Sequence, residues 1–244
     1  MTDRTEEWGG LDAMDETAAD GRRHPAHEDL EKRWEATVRA ARDTGGHDPL
    51  AGAAPSPHPY AANLLARWAE PQRRYHTTDH LVAVLGHIDV LEEYAEDPAA
   101  VRLAAWFHDA VYLPDRSENE ERSARLAERA LRELGVGPAR TDEVVRLVRL
   151  TVTHSPAPDD ADGAVLCDAD LAVLAAPPEA YAAYAAAVRE EYGFVPDDAF
   201  RAGRSDVLRQ LLALPKLFRT PYGEREWEER ARRNIGAELE RLGA

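Results

Sequence analysis

From Glu28 almost to the last residue, apolar side chains recur at three-to-four spacing, and that periodicity restricts the chain to a helical fold. Leu30, Trp34, Val38 and Ala41 form the first such stripe. Further helices are expected over 59–69, 78–94, 99–111, 118–134, 138–154, briefly near Leu171, then over 179–191, 198–214 and 224–242. Period-two alternation of β-branched residues is confined to 145–152, a run that also suits a buried helix. The expected fold class is therefore all-α. Residues 25–244 form one domain, a helical bundle with additional N- and C-terminal helices. Residues 1–24 carry seven acids and three arginines without an apolar period, which reads as a disordered acidic extension. The Gly-, Pro- and Ala-rich stretch 44–59 reads as a loop.

Local chemistry marks several helix ends. Ser117-Glu118-Asn119-Glu120 has the form of a capping box, with Ser117 at the cap and Glu120 three positions on. Gly135 and Gly137 end that helix. Pro177-Pro178 and Pro196 sit where new helices can begin.

The formal charge is −16, from 46 acids against 30 basic residues, which disfavours long nucleic acids as partners. No apolar run is long enough to span a membrane, and the opening MTDRTEEWGG is not a secretory signal. With a lone cysteine, Cys167, the expected location is cytoplasmic. Only Lys32 and Lys216 are lysines, so an anion site here would use guanidinium groups.

Three segments combine metal-ligand chemistry with apolar surroundings. The first runs from Arg73 to His80, the second is Trp106-Phe107-His108-Asp109, and the third is Leu166-Cys167-Asp168-Ala169-Asp170-Leu171. The helix before His108-Asp109 is apolar nearly all round. An aspartate at its inner end is costly unless something pairs with it, and a divalent ion offsets that charge while His108 adds a neutral ligand. The same reasoning applies to Asp168 and Asp170. Leu81, Val84, Leu85 and Ile88 turn His80 inward. His87 lies two turns further, roughly 10 Å from His80, too far to share one ion. Arg73 reads as a solvated turn residue.

These strings, RRYHTTDHL, AAWFHDAVY, SENEERSA, CDADLAVL and YGEREWEERARRNIGAELERL, resemble one bacterial subfamily of the HD superfamily of metal-dependent phosphohydrolases. The resemblance runs from about Tyr60 to Leu242. It implies an HD-type all-α domain whose metal ligands are His80, His108, Asp109 and Asp170, with Asp168 as a supporting acid. Tyr75, His76 and Arg74 would then form a rim that contacts substrate. Asn119 and Glu121, after the HD dyad, would support the centre. Arg204, Arg233 and Asn234 match subfamily positions without an assigned role. His154 is open between second-metal ligand, proton donor and helix cap.

The expected activity is hydrolysis of a small phosphate ester or nucleotide by metal-activated water. The metal is one of Mn, Fe, Co, Ni, Zn or Mg, as one ion or two. His76 or His154 would protonate the leaving oxygen, and Asp109 would be indispensable. Two alternatives stand beside this: a diiron oxygenase, in which Glu121 substitutes for a missing histidine, and a non-catalytic nucleotide-binding regulatory module. Oligomeric state is left open.

Overall fold

The computed structural model of the protein describes residues 23–43 and 55–243. Most of the expected acidic extension and most of the expected 44–59 loop lie outside the described residues.

Among the described residues the architecture is helical throughout, with no strand. The elements are α1 (His27–Asp43), α2 (His58–Trp68), α3 (Thr78–Leu91), α4 (Pro98–Phe107), α5 (Asn119–Glu133), α6 (Pro138–Leu150), α7 (Ala161–Leu171), α8 (Pro178–Glu191), α9 (Asp197–Ala213), α10 (Pro221–Glu226) and α11 (Glu228–Leu242). Short 3-10 turns at Glu92–Tyr94 and Ala172–Ala175 follow α3 and α7. No single described helix is long and apolar enough to cross a membrane.

The bundle is arranged around α4. Its residues from Leu103 to Phe107 are all fully buried, and it touches α1, α3, α5, α6 and α7. A helix that is apolar nearly all round, Arg102 aside, is placed by burial at the centre of a bundle. Trp34 and Trp106 meet edge to face at 5.3 Å, which joins α1 to this axis. α11 packs on the Ala172–Ala175 turn and on α9, closing the C-terminal side.

Four helix ends differ from expectation, each for a local reason. α4 stops at Phe107, short of Val111, because the backbone beyond it is captured from outside. Arg73 takes the carbonyls of Asp109 and Ala110, and the Ser123 hydroxyl takes the amide of Val111. α5 starts at Asn119 without a side-chain cap, so the capping box at Ser117 does not form. Asn119 instead turns back onto the loop, pairing with the Leu113 amide and with the carbonyls of Leu113 and Arg116. α6 ends at Leu150, and the following turns finish at His154 with φ 49°, a left-handed backbone uncommon for a residue with a Cβ. The expected 224–242 helix is two helices broken at Trp227, with α10 capped by the Thr220 hydroxyl on the Gly223 amide.

Candidate metal centre

Helix α3 places His80 in its first turn, buried beside Leu81 and Val84. α4 delivers His108 immediately past its last turn, where the His108 amide still bonds to the Ala104 carbonyl. α7 places Asp170 near its C-terminal end. The three side chains converge. His80 Nε2 stands 3.3 Å from His108 Nε2 and 3.1 Å from Asp170 Oδ1, with His108 Nε2 and Asp170 Oδ1 3.7 Å apart. Asp109 joins them, its Oδ2 lying 3.2 Å from His108 Nε2 and 4.0 Å from His80 Nε2.

Donors sharing one ion at bond lengths of about 2.1 Å stand roughly 3–3.5 Å apart, so this spacing fits a metal. His80, His108 and Asp170 form a buried group able to hold one. His108 Nδ1 is 2.8 Å from the Ala105 carbonyl, an acceptor only, so Nδ1 is the donor there and Nε2 is the ring atom turned inward. Burial pushes the His80 pKa down, only partly offset by Asp170. Burial also opposes charge on His108, but Asp109 and Asp170 outweigh it and hold that imidazole up at about 9. Both carboxyls sit below their ordinary range although burial opposes ionisation: His108 and His76 act on Asp109, His108 and His154 on Asp170. Two ionised acids holding a proton on a buried imidazole form a centre that a cation can occupy by displacing that proton.

Part of the surroundings comes from residues that the sequence did not point to, Glu191 and Tyr112 among them. Glu191, at the end of α8, accepts the backbone amides of Arg74, Tyr75 and His76 on Oε2, while its Oε1 lies 2.5 Å from His76 Nδ1. That clamp aims His76 Nε2 at Asp109 Oδ2, 3.9 Å away. The His76 ring stacks on Tyr112 at 4.2 Å. Arg73 corrects the expectation of a solvated turn: it is buried, donates to the carbonyls of His76, Asp109 and Ala110, and pairs with Glu70. Its guanidinium lies over Trp68, whose indole also packs on the His108 ring at 5.4 Å. A glutamate over a hundred positions from the loop that it clamps leaves no spacing signal.

The remaining expected site residues divide. His154 belongs to the centre, with Nε2 2.7 Å from Asp170 Oδ2. Tyr75 is not a free rim group: its ring is wedged between His80 and Tyr184, at 4.8 and 4.7 Å. Arg74 does stand at the edge, paired with Glu190 at 2.6 Å. Asp168 faces away from the ligands, taking the Arg219 and Thr220 amides and the Thr220 hydroxyl, because a two-residue step on a helix turns a side chain by about 200°. Asn119 holds the 113–116 loop, and Glu121 is bound to Arg149 and Arg125 at the surface; neither is hydrogen-bonded to His80, His108, Asp109 or Asp170. His87 donates to or accepts from no ligand and rests at 3.1 Å on the Ala169 carbonyl. Arg204 and Asn234 are structural, the first paired with Glu238 and the second with the carbonyls of Leu174 and Ala176, while Arg233 pairs with Glu229 outside.

A cavity of about 590 Å³ opens beside the centre, with His80 and Asp170 in its wall. Comparison with protein-family models, curated proteins and solved structures finds no match to this chain.

Proposed function

We propose that the chain is a metal-dependent phosphohydrolase of the HD type, acting on a small phosphate ester or nucleotide. The observation that carries this reading is the convergence of His80, His108 and Asp170 with Asp109, at the wall of an open cleft. A divalent ion held by these four side chains supplies Lewis acidity toward a phosphoryl oxygen and lowers the pKa of water.

The chain's own groups supply the rest. Asp109 and Asp170 provide the negative charge that selects a cation over the phosphate itself. His76 is held through Nδ1 by Glu191, leaving Nε2 on the Asp109 side to deliver a proton to the leaving oxygen. His154, against Asp170, holds that carboxylate in orientation. Arg74 stands at the cleft edge, where its fork can meet a phosphate if it exchanges Glu190 for substrate.

The test is metal analysis of the purified protein coupled to a phosphate-release screen over nucleotides and small phosphomonoesters with each divalent metal. Release that disappears in Asp109→Ala supports the reading. Tight nucleotide binding without release under every metal would replace it with the regulatory module. Oxygen consumption by the iron-loaded protein would replace it with the oxygenase, although Glu121 is taken by Arg149 and Arg125.

A further inference from the structure

Two histidines of α3 line the cleft, and the proposed chemistry uses only His80. His87 follows seven residues later, close to two full turns and about 10 Å of helix rise. It therefore shares the face of His80 without reaching the same ion. Ala83 and Val84 lie between the two on α3 and line the same cleft, so the helix presents no other polar side chain between the imidazoles. Thr77 and Asp79, also in the cleft wall, precede His80.

The His87 ring is held from two sides. Nδ1 lies 3.1 Å from the Ala169 carbonyl, an acceptor only, so Nδ1 is the donor there. Trp227 meets the ring edge to face at 5.4 Å. Burial pushes the His87 pKa below its ordinary value, with His80 adding to the fall and the Ala169 carbonyl and Asp170 opposing it. An uncharged imidazole that donates through Nδ1 keeps its lone pair on Nε2. The side chain is only half-buried. Its Nε2 has no partner among the described residues, yet it is not shut off from solvent as Trp106 Nε1 is. A histidine that served only to tie α3 to α7 would need Nδ1 alone. An oriented, unpaired acceptor in a cleft wall suits a donor carried by a ligand.

We propose that His87 Nε2 accepts a hydrogen bond from a hydroxyl of the bound phosphate ester, so that the cleft selects esters of polyols or sugars over esters of plain alkyl alcohols. The phosphate end of this proposal rests on the phosphohydrolase reading; the hydroxyl end rests on the placement and tautomer of His87 alone. A neutral acceptor suits a neutral donor. A carboxylate or second phosphate would set a charged oxygen against the lone pair. An ammonium would lose more hydration among Ala83, Ala169 and Ala172 than one neutral acceptor returns.

The test uses the full-length protein, labelled with nitrogen-15 histidine and loaded with Zn(II). The probes are 5-hydroxypentylphosphonate, 5-methoxypentylphosphonate, pentylphosphonate and pentane-1,5-diol; the phosphonates resist hydrolysis during titration. Calorimetry gives affinities, and the His87 ring resonances, assigned by their loss in His87→Asn, report on the lone pair. Without ligand, Nε2 is expected to resonate as an unprotonated ring nitrogen. The hydroxy phosphonate should bind about fivefold tighter than its methyl ether, as one neutral hydrogen bond gives, and should shift the Nε2 resonance. His87→Asn keeps an amide donor for Ala169 but has no acceptor at the Nε2 position, so the preference should fall below about twofold. His87→Gln, which reaches the Nε2 position without Nδ1, should keep most of it. A protonated Nε2 in the ligand-free protein, or equal binding of hydroxyl and ether, overturns the proposal, and neither measurement needs a variant to fold. A preference kept in the asparagine variant and lost in the glutamine variant also overturns it, since a purely structural role would act so. If the diol shifts the Nε2 resonance while no phosphonate binds, the hydroxyl subsite stands and the phosphohydrolase reading falls. If the phosphonates bind equally and Nε2 does not respond, the reading stands and the subsite falls.

Discussion

Asp170 divides its two oxygens between two histidines: Oδ1 lies 3.1 Å from His80 Nε2, and Oδ2 lies 2.7 Å from His154 Nε2. The second contact depends on a left-handed backbone at His154, so the chain accepts local strain to place that ring. His154→Ala is expected to keep its fold and to lose about 10- to 100-fold in metal affinity, because the carboxylate loses the partner that orients it. Competitive metal titration with a chromogenic chelator measures this. An unchanged affinity would show that the imidazole is only a turn residue.

Two acids separate metal binding from stability. Asp109→Ala should abolish metal retention and turnover together, as judged by elemental analysis and phosphate release. Asp168→Asn should retain the metal, yet lower unfolding stability by about 2 kcal/mol, because its amide turns donors toward the Arg219 and Thr220 amides. Loss of metal in the second variant, with its fold intact, would contradict the separation.

Arg73→Met should cost about 3–5 kcal/mol in urea denaturation, since it strips the carbonyls of His76, Asp109 and Ala110 of a buried donor and takes the ion pair from Glu70. Arg73→Lys should recover little of this, because one ammonium cannot serve acceptors spread along the guanidinium fork. Full recovery by lysine would mean that charge alone matters there.

Glu191 links the site to pH. Burial opposes its ionisation, but His76 and the backbone amides overcome this and bring its carboxyl down to about 2. A carboxyl depressed on folding contributes stability that is present above its ordinary value of about 4.5 and is lost as pH falls toward 2. The stability gap between the unaltered protein and Glu191→Gln should therefore shrink by about 2 kcal/mol between pH 6 and pH 3. A gap that is constant with pH would assign the clamp to packing.

Cys167 is 2% exposed, and burial, with Asp170 and Asp168 nearby, drives its thiol well above the usual range. It should stay silent to a disulfide reagent in the folded protein and react within minutes in denaturant. Prompt reaction under native conditions would show that α7 opens readily.

Helical periodicity is written locally, so the all-α class and most helix positions were legible in the sequence. So were His80, His108, Asp109 and Asp170 as acids and imidazoles among apolar neighbours, because burying such groups is costly wherever they occur. Contacts between distant segments were not legible. Glu191 clamping residues 74–76 and Arg73 ending α4 each depend on the bundle bringing remote positions together. Ser117 to Glu120 shows the opposite failure, where a good local motif yields to Asn119 binding the preceding loop.

Asp168 and Asp170 point from one helix toward two different parts of the molecule, and this bears on what holds the candidate centre in place. The donors that satisfy Asp168 come from Arg219 and Thr220. Those donors lie about 50 positions beyond Asp168 in sequence, so its buried carboxylate is satisfied only once the bundle returns that segment onto α7. The helix that carries Asp170 is thus anchored by the loop that leads into α10.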